Sequence, residues 1–133
     1  DLKYTRIRIR ELINKLEKNG FDKNKFNLTI NNLKRSNDAL LYYVESNKKI
    51  NSFFNKKKKT LILNEEFFNQ PYEVSFRSLS DSIKLIGGKY YSARGKKIDF
   101  ILKRIIGNSF KMGTLGGCII KKLNQSVILS KEY

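Results

Sequence analysis

One short segment places three glycines beside the only cysteine of the chain. It reads MGTLGGCIIKK, spans residues 112–122, and has Cys118 at the start of an apolar run. Such a segment suits a phosphate-cradling loop, a nucleophile on a strained turn, or a bend that leads into a strand. A catalytic cysteine ordinarily needs a histidine base, and the chain has no histidine. We therefore expect Cys118 to be a buried, inert side chain and Gly116 and Gly117 to allow a bend or bulge.

The other patterns for phosphate, metal and acid–base chemistry are incomplete. Gly88-Lys89 lacks the earlier glycine of a Walker A loop, and Tyr90 stands where Ser or Thr is required. The glycines of the segment above precede a predicted strand, whereas the dinucleotide fingerprint requires a helix. Without histidine and with one cysteine, no zinc site is expected. Glu65 and Glu66 suit a helix start better than a paired-carboxylate site. We predict no catalytic residue, metal site or cofactor in this chain.

Charge is the strongest signal of the composition. The chain has 28 Lys and Arg against 12 Asp and Glu, a net charge of +16. Such an excess favours polyanions, because each neutralised phosphate releases condensed counterions. Genome composition contributes part of it, since lysine, isoleucine and asparagine are all abundant. Nucleic acid is the leading partner class, ahead of an anionic membrane surface. With no apolar run long enough to span a bilayer, no signal peptide and a single cysteine, we expect a cytoplasmic protein.

Six cations beside breaks in the pattern are the candidates for contacting a phosphate backbone. Arg94 and Lys97 lie three apart on a predicted helix and form a stripe with Lys89 in the preceding turn. Arg94 carries the most weight, because a helix start disfavours a cation. Lys121 and Lys122 are adjacent in a predicted strand, so their side chains lie on opposite faces of it. The full set is Lys89, Arg94, Lys96, Lys97, Lys121 and Lys122. Each one alone is equally well explained as part of a solvated surface.

Two helices are predicted in the first part of the chain. Three arginines near its start alternate with apolar residues as in a strand; they are Arg6, Arg8 and Arg10. The apolar spacing from Ile9 to Leu16 is helical, so we predict a helix that begins at an N-cap, Thr5, and ends near Gly20. A second helix from 22 to about 53 is expected to pack antiparallel to it.

The rest of the chain reads as α+β. The lysine run at 55–60 cannot be buried and marks an exposed connection. The elements expected beyond it are a strand at 60–63, a helix from Pro71 to Gly87-Gly88, a helix near 93–106 and a hairpin turning at Asn124-Gln125. Pairing the strand with the hairpin gives a small sheet covered by two helices. The predicted fold is α+β, with an N-terminal helical hairpin over 1–55 and a small α+β domain over 60–133.

Three segments resemble the tRNA(Ile)-lysidine synthases, especially the alphaproteobacterial type. The first, DLKYTRIRIR, is similar to the family's R-x-R-I-R run through Asp1, Tyr4, Arg6, Arg8, Ile9 and Arg10. The second, LIGGKYYSAR, is similar to iGG-x-x-Y-x-x-R through Gly87, Gly88, Tyr91 and Arg94. The third is similar to the closing TLGGC…RE through Thr114, Leu115, Gly116, Gly117, Cys118 and Glu132. Lys131 replaces the usual arginine and loses its bidentate fork.

The resemblance implies a function for a longer protein, which the start of the chain on Asp1 also leads us to expect. The family's N-terminal ATP-pyrophosphatase domain is absent from this sequence. The whole enzyme would be a C–N ligase that uses ATP and Mg to adenylate the wobble cytidine of tRNA(Ile) with a CAU anticodon. L-lysine would then displace AMP to leave lysidine. The share implied for this chain is tRNA binding, and the chain alone is expected to be inactive.

Two alternatives remain open at this point. The segment is a non-catalytic scaffold that shapes the parent enzyme or makes it a homodimer, or it is an unrelated basic RNA- or DNA-binding module. Arg6, Arg8 and Arg10 are candidates for a domain junction with the missing catalytic part. The glycines at 87–88 and 116–117 are predicted to be structural.

Overall fold

The computed structural model describes residues 2–133, so Asp1 of the first family-like motif lies outside the described residues. The helices are α1 (Leu2–Lys18), α2 (Lys23–Asn51), α3 (Tyr72–Gly87) and α4 (Gly95–Ile106), with a short 3-10 helix at Glu65–Phe68. The strands are β1 (Ser52–Asn55), β2 (Thr60–Leu63), β3 (Met112–Leu115), β4 (Cys118–Leu123) and β5 (Ser126–Lys131). The predicted α+β class is confirmed. No helix of the described part is long and apolar enough to cross a membrane.

The chain divides into two compact units, of which the first ends at Asp38 and the second is Ala39–Tyr133. In the first unit, the arginine-rich segment is helical, as predicted. The helix α1 begins at Leu2 rather than at Thr5, because no helix-breaking residue precedes the threonine. The chain then turns at Gly20, whose φ is +95°.

The apolar stripes of the first unit are exposed. α1 has no buried residue, and Ile9 and Leu12 are 51% and 55% exposed. Leu33 of α2 is 64% exposed. The two helices follow each other across the turn as expected, and Ile13 of α1 and Ile30 of α2 are half-buried, but no residue of α1 is fully buried. The Asp22 carboxylate begins α2 by accepting hydrogen bonds from the backbone N–H groups of Asn24 at 3.0 Å and Lys25 at 3.2 Å.

A five-stranded antiparallel sheet of order β1-β2-β5-β4-β3 forms the second unit. β1 was not predicted: the sequence analysis extended α2 to Phe53, whereas Phe53 and Phe54 belong to a strand that pairs with β2. Aromatic residues favour strands, and a hairpin partner follows directly. The lysine run is therefore the exposed turn of this hairpin. Asn55 shapes it by accepting from the backbone N–H groups of Lys57 at 3.1 Å and Lys58 at 3.2 Å.

The core lies between one face of the sheet and the helices α3 and α4. Alternate strand residues point into it, which gives a buried set of Leu61, Leu63, Cys118, Ile120, Val127 and Leu129. The helices contribute Leu79, Ile83, Ile98, Ile101, Leu102 and Ile105. The predicted pairing of the 60–63 strand with the C-terminal hairpin, beneath two helices, is confirmed.

The buried amide of Asn47 connects the end of α2 to the rest of the second unit through hydrogen bonds. The Asn47 amide nitrogen donates to the carbonyl oxygen of Phe67 at 3.2 Å and to the hydroxyl of Ser78 at 3.0 Å. The amide of Asn51 in turn donates to the Asn47 oxygen at 2.8 Å. These bonds explain why the second unit starts within α2, upstream of the boundary drawn from the sequence. The assignment of 1–55 and 60–133 as separate domains stays a prediction.

Candidate nucleic-acid interface

The glycines of the opening motif form the turn between β3 and β4. Leu115 pairs with Cys118, and both residues between them have positive φ, +60° at Gly116 and +81° at Gly117. Two successive positive φ angles define the tight hairpin turn for which Gly-Gly is a preferred sequence. The predicted bend is confirmed, but the bulge is wrong, because the register across the turn leaves no unpaired residue in either strand.

This turn is pressed against the end of α3. A Cβ atom on Gly87 would lie 2.0 Å from the carbonyl oxygen of Gly116, and one on Gly117 would lie 3.0 Å from the carbonyl oxygen of Gly87. The backbone of the turn can come this close to the end of α3 only because Gly87, Gly116 and Gly117 have no Cβ atom. Gly88 then ends α3 in the left-handed conformation, with its N–H bonded to the Lys84 carbonyl at 3.1 Å. Two of the three family-like motifs thus make one local structure.

The end of the chain reaches the same place. The backbone N–H of Glu132 donates to the carbonyl oxygen of Gly117 at 2.8 Å. A Cβ atom on Gly88 would lie 3.6 Å from the Lys131 ammonium nitrogen. Residues separated widely in sequence are therefore held together by backbone contacts at one end of the sheet.

Cys118 lies beneath this turn and is fully buried. Its thiol donates to the carbonyl oxygen of Ile83 at 3.2 Å. Burial raises the pKa of the thiol to about 11, so the thiolate nucleophile is absent at neutral pH. The prediction of a buried side chain is confirmed. Among residues 2–133, no three His, Cys, Asp or Glu side chains are grouped so as to hold a metal ion.

Three of the six candidate cations line one groove beside the glycine turn. Lys89 leaves the end of α3, Arg94 is the residue directly before α4, and Lys97 lies in the first turn of α4. Leu115 and Gly116 form part of the wall, and the groove has a volume of about 540 Å³. The first turn of α4 contains no acidic residue. Lys96 lines a neighbouring groove of about 380 Å³ between α4 and β3, which it shares with Lys97.

The same groove carries two tyrosines that the sequence analysis did not consider as ligand contacts. Tyr90 and Tyr91 are 83% and 80% exposed, and their ring centroids lie 4.9 Å apart. Tyr91 was noted only as a family position, and Tyr90 only as a departure from a Walker A loop. The sequence did contain a signal for such a contact, because Tyr90 and Tyr91 are adjacent and are flanked by Lys89 and Arg94.

Lys121 and Lys122 do not join this groove. The Lys122 ammonium donates to the side-chain oxygen of Asn108 at 2.7 Å and to the carbonyl oxygen of Ile105 at 3.5 Å, at the far end of α4. Lys121 is exposed on the opposite face of β4. Strand alternation separates these two side chains as predicted, and neither one lies at the glycine turn. The role of Lys121 as an RNA contact stays a prediction, whereas the bonds of Lys122 favour a structural role over the predicted RNA contact.

The arginines of α1 belong to the first unit. They are exposed, and helical geometry places Arg6 and Arg10 on one face with Arg8 directed away from it. Their assignment to a domain junction stays a prediction.

Comparison with known proteins identifies relatives of the chain. No family model matches it, and no solved structure matches it. The tRNA(Ile)-lysidine synthase of Wolbachia pipientis wMel is 29% identical over 135 residues, covering 99% of this chain and 31% of the relative. That of Wolbachia sp. subsp. Brugia malayi (strain TRS) is 28% identical over 134 residues, covering 98% and 31%. The chain thus spans about a third of the length of these curated relatives. The resemblance indicated by the three motifs is confirmed: over nearly its whole length, this chain is similar to tRNA(Ile)-lysidine synthases.

Proposed function

We propose that this chain is the tRNA-binding portion of a tRNA(Ile)-lysidine synthase. The observation that carries the proposal is the groove in which Lys89, Arg94 and Lys97 meet at the contact between the two glycine motifs. The motifs connect the chain to the family, and the groove supplies the positive charge that a tRNA backbone requires.

The whole enzyme would use ATP and Mg²⁺ to activate the wobble cytidine of tRNA(Ile) and would then join L-lysine to it. Those steps belong to a catalytic domain outside this chain. The contribution of this chain is to hold the tRNA so that the anticodon reaches that domain. It supplies no catalytic side chain, and we expect it to form no lysidine by itself.

The electrostatics of the groove support a phosphate-binding role. Within the described part of the chain, Lys89, Arg94 and Lys97 make no hydrogen bond through their side chains and no salt bridge, and all three are exposed. Cations that already pair with carboxylates gain less from a phosphate, because an existing interaction must first be broken. Unpaired cations release counterions from the RNA without that cost.

The test is fluorescence anisotropy of labelled tRNA(Ile) with the 133-residue chain in a salt series. We expect the logarithm of the association constant to fall linearly with the logarithm of the salt concentration between about 50 mM and about 200 mM. Unlabelled tRNA should compete better than duplex DNA of equal phosphate content. Undetectable binding at the lowest salt contradicts the proposal, and equal competition by duplex DNA favours a general nucleic-acid-binding module instead.

One observation favours a scaffold role for the first unit in addition. The stripe of α1 leaves Leu12 and Leu16 55% and 52% exposed, and a helix with an apolar stripe ordinarily packs against a partner. Such a partner is either the missing part of the enzyme or a second copy of the chain. Sedimentation equilibrium tests the second copy: a dimer of the isolated chain supports it, and a monomer excludes it and leaves the junction as the remaining partner.

A further inference from the structure

The loop between α3 and α4 displays two aromatic rings to solvent. Tyr90 and Tyr91 are 83% and 80% exposed, so neither ring stabilises the core through burial. Their centroids lie 4.9 Å apart with the ring planes at 88°. Because the rings are nearly perpendicular, a planar ligand that stacks on one ring presents its edge to the face of the other. The pair therefore forms a floor and a side wall for a single planar group.

The surroundings of the pair indicate the chemistry of that group. The tyrosines line the same groove as Lys89, Arg94 and Lys97. Aromatic faces beside a row of cations are the arrangement by which proteins bind single-stranded nucleic acid: bases stack on the rings and phosphates contact the cations. In a duplex, each base is already stacked between its neighbours, so its face is unavailable to a protein ring.

We propose that this groove binds unpaired nucleotides of RNA, with a base stacked on the tyrosine pair and its flanking phosphates held by Lys89, Arg94 and Lys97. The inference rests on the proposed function for RNA as the partner. It goes further by assigning the groove to an unpaired segment rather than to a helical stem, and by giving Tyr90 and Tyr91 the stacking role.

The molecule contains a matched control for this role. Tyr42 and Tyr43 of α2 are likewise adjacent and exposed, at 71% and 57%. Their centroids lie 5.6 Å apart with the ring planes at 82°. They lie on a helix between Asp38 and Glu45, and no lysine or arginine lies within four residues of either ring in sequence, so the cations that flank Tyr90 and Tyr91 have no counterpart beside them. Their replacement removes the same number of exposed rings without touching the groove.

The experiment compares three labelled RNA probes by anisotropy at fixed low salt. The first is an oligoadenylate of about ten nucleotides, a length within the range that single-strand-binding proteins cover. The second is an oligomer of equal length that lacks the bases, and the third is an RNA duplex with the same number of phosphates. The loop variant is Tyr90→Ala with Tyr91→Ala, and the control variant is Tyr42→Ala with Tyr43→Ala.

We expect the loop variant to bind oligoadenylate about tenfold more weakly than the unmodified chain, in the range measured when one stacked base is lost. Its affinity for the base-free oligomer and for the duplex should be unchanged. Replacement of both residues by phenylalanine should restore the affinity for oligoadenylate, since the ring face and not the hydroxyl makes the contact. The control variant should bind all three probes like the unmodified chain.

Two outcomes overturn the inference. The first is a loop variant that binds oligoadenylate normally, and the second is a loss that is equal for all three probes. Circular dichroism melts of each variant show whether it folds, and if the double alanine variant does not, the single variants Tyr90→Ala and Tyr91→Ala, each of which removes one exposed ring, take its place in the test. An unmodified chain that binds none of the probes contradicts the proposed function itself, whereas normal binding by both alanine variants contradicts only the stacking role.

Discussion

The two ends of α4 both carry cations but use them differently. At the C-terminal end, Lys122 donates to Asn108 at 2.7 Å and to the carbonyl of Ile105. At the N-terminal end, Arg94 and Lys97 make no such bond within the described residues. A high positive charge is therefore not one property of this chain. Part of it holds the fold together, and another part is available to a ligand.

The C-terminal end follows the electrostatics of a helix. Carbonyl groups without helical partners and the negative end of the dipole attract cations there. Arg104 donates to the carbonyl oxygen of Ser109 at 3.1 Å, and its guanidinium carbon lies 5.5 Å from the ring centroid of Phe100 and 5.8 Å from that of Phe110. Cation–π contacts of this kind add to the stability of the end of the helix.

The N-terminal end opposes the same electrostatics. The positive end of the dipole meets Arg94, Lys96 and Lys97, and the single acidic residue of α4, Asp99, lies beyond its first turn. Its carboxylate accepts a hydrogen bond from the hydroxyl of Tyr72 at 2.5 Å. This arrangement costs stability in the free protein and is relieved when a polyanion binds. The contrast between the two ends is the physical reason for placing the ligand at the N-terminal end.

The largest expected effect comes from reversing charge at the N-terminal end. We predict that Arg94→Glu with Lys97→Glu weakens tRNA binding by about tenfold to a hundredfold and lowers the salt slope by about two, since two phosphate contacts are lost. Anisotropy in the salt series measures both. The variant should melt no lower than the unmodified chain, because carboxylates suit the start of a helix.

The matched control reverses two charges in the β1–β2 turn. Lys57→Glu with Lys58→Glu changes the net charge by the same amount in an exposed lysine run. If the groove makes specific phosphate contacts, this control weakens binding by no more than about threefold, through the long-range field that salt screens. Equal losses in the two variants would show that only the net charge matters.

At the C-terminal end of α4 we expect a smaller effect, on the stability of the fold and not on tRNA binding. Lys122→Met should lower the free energy of unfolding by about 1 kcal/mol, because the bond to Asn108 and the interaction with the end of the helix are lost. Its tRNA affinity should stay close to that of the unmodified chain. Urea denaturation and anisotropy on the same preparation test both statements. Weaker tRNA binding without loss of stability would move Lys122 from the structural group of cations to the ligand-binding group.

Local patterns predicted those parts of the fold that depend on near neighbours. The hairpin at 124–125, the stop of α3 at Gly87-Gly88 and the burial of Cys118 follow from turn chemistry and apolar periodicity, and all are observed. β1 was missed because its aromatic residues directly follow a helical pattern, and its strand character depends on the partner strand β2.

The candidate site was predictable only in part, for the same reason. Helical spacing brought Arg94 and Lys97 together correctly, since both lie near one helix start. The contact between Gly87 and Gly116 joins residues that are distant in sequence, so each glycine was assigned only a local role. The tie of Lys122 to Asn108 depends on which helix end packs over the strand, and alternation along a strand does not contain that information.

The smallest effect concerns the hydrogen bond between Tyr72 and Asp99, which joins α3 to α4. Burial, and then the hydrogen bond to Asp99, raise the pKa of Tyr72 to about 12. A tyrosine whose pKa is higher in the folded protein than in the unfolded chain stabilises the fold below pH 10, and this stabilisation is lost as the pH rises towards 12. Tyr72→Phe should therefore be less stable than the unmodified chain at pH 9, by up to about 1 kcal/mol, because the hydrogen bond is missing. The gap should narrow as the pH approaches 12, where Tyr72 ionises and faces the Asp99 carboxylate. Lysine deprotonation affects both proteins and cancels in the difference between their urea denaturation curves. A gap that does not change with pH would mean that the hydroxyl of Tyr72 and the carboxylate of Asp99 are not coupled in the folded protein.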